Sequence, residues 1–318
     1  MKNKHLGFTL IELLFVIVIM GIIAGMTLEI TRQYYDGIYR TIEYEKRAAQ
    51  ANLLLEQLSK YFENAISLSI VNLDKDAIGA GPCEIPDIAD IAHDYTVAFI
   101  AVDNDSLRGG WDGTRFIPGW NEDVNISGNT ISQTGADYTK ASAITAALNG
   151  SGTLTSSAIY HYGDTAPNSG GCSDYNLHTN AAITNTKFLQ IQGLSASTLT
   201  LDHNISSNAK RAYLLRTAYA FRVHPDQNGS FYMYSNFRPW DTANWKRYND
   251  NGVKQTLLAT NVAHFYADYN ASQLDENATD RGLVWRLKVC MRGLNEDLNN
   301  SEADADNICR ERRVHVRY

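Results

Sequence analysis

Few residues in this chain have a type and setting that imply chemistry, and the sharpest of them is an acid. Glu12 is the single charge in the run from Phe8 to Leu28, FTLIELLFVIVIMGIIAGMTL. A carboxylate inside hydrocarbon costs about 2.5–3.5 kcal/mol on insertion scales, so such a residue is expected to have a partner and a function. Ahead of it stands a short basic segment, MKNKHLG, with Lys2 and Lys4 and a small residue, Gly7, at its end. Four cysteines follow, Cys83, Cys172, Cys290 and Cys309. None lies in a CxxC pair, which argues against a zinc ribbon or a dithiol redox motif. In an exported segment they would form two disulfides. They can be paired in three ways. Cys290–Cys309 with Cys83–Cys172 closes the shorter loops and costs the least chain entropy.

The remaining constellations give weaker signals. The histidines show no HxxxH or HExxH spacing, so they read as scattered core and surface residues. No GxSxG elbow, P-loop or GxGxxG fingerprint occurs, and neither an enzyme nor a cofactor is expected. Two acidic clusters raise the question of calcium, which needs six to eight oxygens. One is Asp103-Asn104-Asp105 with Asp112; the other is Glu296, Asp297, Glu302, Asp304 and Asp306. Neither has EF-hand spacing, so solvated loop charge is the preferred reading, and no metal is expected. Glu302, Asp304 and Asp306 stand as the residual calcium candidates. Arg310, Arg312, Arg313 and Arg317 make a basic C-terminal stretch. It reads as an edge strand guarded by charge rather than as a phosphate track. With a formal net charge of -7, nucleic acid is not an expected partner.

The elements that position these residues follow from periodicity. The chain has 318 residues, 44% hydrophobic and 20% charged, enough for a folded core. The Phe8–Leu28 run spans about 30 Å as a helix, the thickness of a bilayer core. It is too long for a signal peptide, and no A-x-A site follows it. The flanking lysines put the N-terminus in the cytoplasm and the rest of the chain across the inner membrane. Gly21 and Gly25 have GxxxG spacing, which suits either close helix packing or simple tolerance of glycine in a membrane helix. Beyond Leu28, Ile38, Ile42, Leu55, Leu58, Phe62, Ala65 and Ile66 recur at helical spacing, and no proline occurs before Pro82. One helix from Phe8 to about Ser69 is predicted, apolar all round in its first half and amphipathic in its second.

Residues 71–210 are rich in Gly, Ser, Thr, Asn and Ala and read as a large irregular insertion. Strands are predicted there at Tyr95–Val102, Phe188–Ile191 and Thr198–Leu201, with a short helix at Ala141–Leu148. From 211 to 318 strand signals sharpen: Ala212–Val223, a turn at His224–Gly229, Ser230–Tyr234, Val262–Tyr269, Leu283–Cys290 and the C-terminal alternation of Val314, Val316 and Tyr318. The expected fold class is α+β, a long N-terminal helix packed on an antiparallel sheet of four or five strands.

The run Gly7-Phe8-Thr9-Leu10-Ile11-Glu12 resembles the N-terminal signal of type IV pilins and type II secretion pseudopilins. The resemblance implies a pilin-like fold and a leader of residues 1–7. A prepilin peptidase would cut between Gly7 and Phe8, with N-methylation of Phe8. It implies that Glu12 pairs with the freed ammonium of a neighbouring subunit during assembly, since two charges in lipid are tolerable when paired. The implied layout is a transmembrane half-helix at 8–28, an amphipathic half at 29–70, a variable αβ insertion at 71–210, and a sheet with a cysteine-closed loop at 211–318. Leu257–Tyr269 and Leu283–Met291 are similar to the C-terminal half of large minor pilins and J-type pseudopilins, and Cys290 and Cys309 to the pair closing the last loop of pilins. Some pseudopilins bind calcium near the C-terminus. Major pilins commonly carry a helix proline that is missing here, which favours a minor subunit. The partners implied are the peptidase, other pilins or pseudopilins, and the inner-membrane assembly platform. The head would lie in the periplasm and then at a pilus or pseudopilus tip. The competing reading is a membrane-tethered adhesive or ligand-binding protein exported by the same route.

Replacing Gly7 by Asp is expected to leave an uncleaved precursor. Intact-mass measurement of the membrane-extracted protein checks this, and a product trimmed after residue 7 would remove the peptidase assignment.

Overall fold

The helical pattern of the apolar run continues without a break through Gly37, so that α1 spans Leu10–Phe62. The structure, a computed structural model, describes residues 10–73, 96–149, 153–162, 177, 188–205, 211–224, 227–269, 284–293 and 307–316. The chain divides into two compact units, Met1–Ala49 and Gln50–Tyr318. In the first, the large apolar side chains from Leu10 to Ile30 are exposed. The helix is long and apolar enough there to cross a membrane.

In the second unit α1 ends at Phe62, earlier than the periodicity suggests, because the backbone beyond it is taken up by a strand. The Ile66 amide donates to the Ile100 carbonyl (2.9 Å) and the Val102 amide to the Asn64 carbonyl (2.8 Å). The elements that follow are β1 (Val71–Asn72), β2 (Thr96–Val102), α2 (Asp105–Arg108), β3 (Gly110–Trp111), β4 (Phe116–Ile117), β5 (Asn125–Ser127), β6 (Thr130–Ser132) and α3 (Tyr138–Asn149). Then come β7 (Ala158–Tyr162), β8 (Phe188–Leu194), β9 (Thr198–Leu201), β10 (Arg211–His224), β11 (Ser230–Phe237), β12 (Lys254–Ala259), β13 (Val262–Tyr269), β14 (Val284–Met291) and β15 (Ile308–His315).

The strand runs expected from 95 to 290 are present, with ends shifted by a few residues, whereas the C-terminal strand lies earlier than the Val314–Val316–Tyr318 alternation suggests, at Ile308–His315, and Tyr318 lies outside the described residues. Their assembly differs from the single sheet of four or five strands. Ten strands form one sheet, in the order β1-β2-β10-β7-β8-β9-β6-β5, with β11 beside β10 and β12 beside β11; β13-β14-β15 form a separate three-stranded sheet. Residues 71–210, expected as an irregular insertion, supply β1, β2 and β5 to β9 of the large sheet. Strand β10 joins the two regions, since Leu215 faces Val102 on one side and Ala158 on the other. The β10–β11 hairpin turns through Asn228 and Gly229, both with positive φ (57° and 64°). A Cβ on Gly229 would lie 2.3 Å from the Val262 carbonyl oxygen, so glycine is required there.

Both faces of the large sheet are covered, and β2 is buried at every position. On one face Ala98, Ile100, Val102, Ala218 and Ala220 pack with Tyr160, Phe188 and Trp240. On the other, the last turn of α1 lays Phe62 against Phe99 of β2 (4.7 Å between ring centroids), Phe221 of β10 (6.2 Å) and Trp285 of β14 (6.5 Å). Phe265 of β13 also meets Phe221 (6.4 Å) and Phe231 (5.0 Å), so the smaller sheet closes the same core. In β14 the expected alternation holds, with Trp285, Leu287 and Val289 buried.

Phe62 is fully buried and touches three elements. Phe62→Ala is expected to destabilise the second unit by about 3–5 kcal/mol. Denaturant unfolding followed by tryptophan fluorescence measures it, and a loss near zero would show that the helix end does not hold the sheets together.

Candidate functional site

Two places concentrate chemistry. The first is the start of α1. Glu12 lies in its first turn, where negative charge complements the helix N-terminus, and Ile11 and Leu13 beside it are exposed. Gly7 and Phe8 lie outside the described residues.

The second is a cleft of about 570 Å³ between the end of α1, the β2–α2 junction and strands β10 to β12. Its polar wall is made by a break in β10. Between Leu215 and Ala218 the register against β2 advances by only two residues, from Val102 to Ile100, so Arg216 and Thr217 form a β-bulge. The bulge changes which residues share a face. Leu214 packs with the cluster around Trp120 and Tyr138, whereas Leu215 and Ala218 pack together on the opposite face. Downstream, Tyr219 and Phe221 meet the rings of Tyr61 and Phe62. Thr217 occupies the gap: its Oγ1 accepts from the Asn236 amide (2.8 Å) and lies 2.8 Å from the Ala218 carbonyl oxygen.

Arg216 lines the cleft and is 9% exposed. Its Nη2 lies 3.3 Å from Asp105 Oδ2 and 3.5 Å from the Tyr219 hydroxyl. Nε and Nη1 are buried and, among the described residues, have no hydrogen-bond partner. Burial opposes the charge, but Asp103, Tyr219 and Asp105 outweigh it and raise the guanidinium's pKa. Tyr61 and Tyr219 are pushed up chiefly by burial, with Arg216 pulling the other way. Asp103 is buried at 4% exposure. It accepts from the Asp105 amide (3.1 Å), the Ser106 amide (3.4 Å) and the Ser106 hydroxyl (2.7 Å), so it shapes the start of α2. The Asn104 amide nitrogen donates to Asn64 Oδ1 across the cleft (2.6 Å).

The first acidic cluster is therefore not a calcium cup. Asp103 is committed to backbone and serine donors, Asp105 makes a single 3.3 Å contact with Arg216, and Asp112 belongs elsewhere, in the β3–β4 turn. There Asp112 accepts from the Thr114 amide (2.8 Å), the Thr114 hydroxyl (2.9 Å) and the Arg115 amide (2.8 Å). Those bonds, led by the Arg115 amide, lower its pKa from 3.8 to about 2. Among the described residues no group of three or more His, Cys, Asp or Glu could hold a metal ion. Glu302, Asp304 and Asp306 lie outside the described residues, as do Cys83 and Cys172.

Cys290 and Cys309 form a disulfide. They face each other directly in the β14–β15 register, so the bond staples neighbouring strands as well as closing the loop between them. Among the described residues β15 pairs with β14 alone and is the edge of its sheet. Arg310, Arg312 and Arg313 lie along it, as expected of a charged edge. Sequence reasoning missed the Arg216 cleft. The one signal was the adjacent Arg216 and Thr217 in the middle of a largely apolar-aromatic strand run.

Residues 2–28 match the family model described as the prokaryotic N-terminal methylation motif. The match supports the type IV pilin and pseudopilin family and prepilin-type export. It fits membrane anchoring through the apolar start of α1. No curated protein and no solved structure matches the chain.

Asp103→Ala removes a buried counter-charge and the Ser106 bonds, and is expected to cost about 3 kcal/mol of stability at pH 7. Asp112→Ala should act differently. A depressed carboxyl contributes stability above its unfolded pKa and loses it as pH falls through the folded one. The difference between Asp112→Ala and the native chain should be complete above 3.8 and vanish as pH falls towards 2. Denaturant curves across acid pH check both.

Proposed function

We propose that this chain is a minor pilin or pseudopilin subunit, processed by a prepilin peptidase and assembled into a type IV pilus or a type II secretion pseudopilus, which it primes or caps. The observation that carries the reading is the coincidence of the methylation motif at 2–28 with a helix whose first turn holds Glu12 in an apolar setting. The peptidase cuts between Gly7 and Phe8, and Phe8 is N-methylated. Its ammonium meets Glu12 of the adjacent subunit in the membrane, where each charge needs the other. The exposed apolar side chains from Leu10 to Ile30 suit lipid before assembly and neighbouring helices after it. Before assembly the inner membrane holds α1, with the head in the periplasm. The assembly platform and other pilins are the partners. The motif points to a structural subunit rather than an enzyme.

A second reading, an adhesive or ligand-binding head on the same anchor, is favoured by one observation: the cleft around Arg216. The two are compatible, because the cleft-lining residues all follow Ala49 and the methylation motif ends at residue 28.

Glu12→Ala should still be cleaved and methylated, with the mature chain beginning at Phe8. Removing one member of a buried pair costs about 3–5 kcal/mol, so incorporation into filaments should fall about a hundredfold or more. Intact mass and quantitation of the chain in sheared or crosslinked assemblies measure the two effects. Normal incorporation of the mutant would discard the pairing mechanism.

A further inference from the structure

Arg216 is a buried cation whose hydrogen-bonding capacity is mostly unused. A guanidinium carries five N–H donors in a planar fork that matches a carboxylate. Here two of its three nitrogens have no partner among the described residues. The third makes a single contact with a carboxylate, at 3.3 Å, against about 2.7–2.9 Å for a good charge-assisted bond. A buried donor left unpaired keeps the full cost of its lost hydration. The bulge in β10 holds the side chain in this position although it satisfies so little of it.

Asp105, its one carboxylate contact, is poorly committed. Its side chain is 48% exposed, so it can turn to solvent at small cost. Asp103 is committed to α2. The cleft's charged lining is three cations, Lys60, Arg108 and Arg216, against two carboxylates, Asp103 and Asp105. Lys60 also pairs with Glu56 (3.7 Å), so the buried cation of the cleft is Arg216. The lining also includes the apolar Met233 of β11 and Leu258 of β12. The volume of about 570 Å³ lies in the range of small-molecule sites.

We propose that this cleft binds a small organic carboxylate with an apolar side group, either a free acid or the C-terminus of a peptide. The ligand's carboxylate takes the place of Asp105 on the guanidinium fork, with the Tyr219 hydroxyl beside it. Its side group lies on Met233 and Leu258. Asp105 is then a stand-in for the ligand and a competitor with it. The inference deepens the ligand-binding reading of the head and does not depend on assembly. Binding and filament incorporation are separate measurements, and either can fail alone.

The test is calorimetric titration of the full-length protein in detergent micelles with N-acetyl-leucine, N-acetyl-leucinamide, and a leucine-terminated tripeptide with its C-terminus free or amidated. The free carboxylates are expected to bind saturably and the amides about tenfold or more weakly. Asp105→Asn is expected to tighten binding several-fold by removing the competitor, and Arg216→Gln to abolish it. If Arg216→Gln does not fold, Asp105→Asn decides, because its side chain is half exposed. Tighter binding of the free tripeptide assigns the site to polypeptide C-termini, and equal binding assigns it to free acids. Equal binding of acids and amides, no saturation into the millimolar range, or weaker binding by Asp105→Asn would each overturn the proposal.

Discussion

Phe62 meets Phe99, Phe221 and Trp285, rings on three strands that are far apart in sequence and belong to two different sheets. Aromatic contacts of this kind bury large areas and fix relative orientation through ring geometry. The last turn of α1 thus sets the spacing between the ten-stranded sheet and the three-stranded one. The chain direction after the helix follows from the same contact. With Phe62 seated, Asn64 and Ile66 bond to β2, and β2 becomes a strand with neighbours on both edges and both faces.

β10 shares this central role. It is long enough to pair with β2 on one edge and with β7 and β11 on the other. Such a strand, if regular, would present one alternating set of residues to each face along its whole length. The bulge at Arg216 and Thr217 changes the set halfway. Upstream, Ala212 and Leu214 serve the cluster with α3; downstream, Tyr219 and Phe221 serve the helix. The arginine at the change of phase is left between two cores, beside a cleft, where an apolar residue would have been expected.

The two ends of the chain were legible because their signals are local. Hydrocarbon length, flanking lysines and one acid in an otherwise apolar run define the first thirty residues by composition and order. The alternation of Trp285, Leu287 and Val289 defines β14 in the same way, and the Cys290–Cys309 pair agrees with the shorter-loop argument. In the middle, β2, β8, β9 and α3 were legible, but β5, β6 and β7 were not, because β5 and β6 are three residues long and β7 five, too short to display a period. Their existence depends on being paired. Ile131, for instance, is buried only because Ile126 faces it on β5 and Leu199 on β9.

What the amino-acid order determined unaided is an apolar N-terminal helix long enough to cross a membrane, with Glu12 near its start and inside the methylation motif at 2–28, features carried by neighbouring residues. The tertiary structure alone decided the number of strands in the large sheet, the position of the bulge and the setting of Arg216. Those depend on contacts between residues more than a hundred positions apart, such as Asp105 with Arg216 and Phe62 with Trp285. No local pattern encodes them, because the free energy that selects them is gained only once distant segments are packed together.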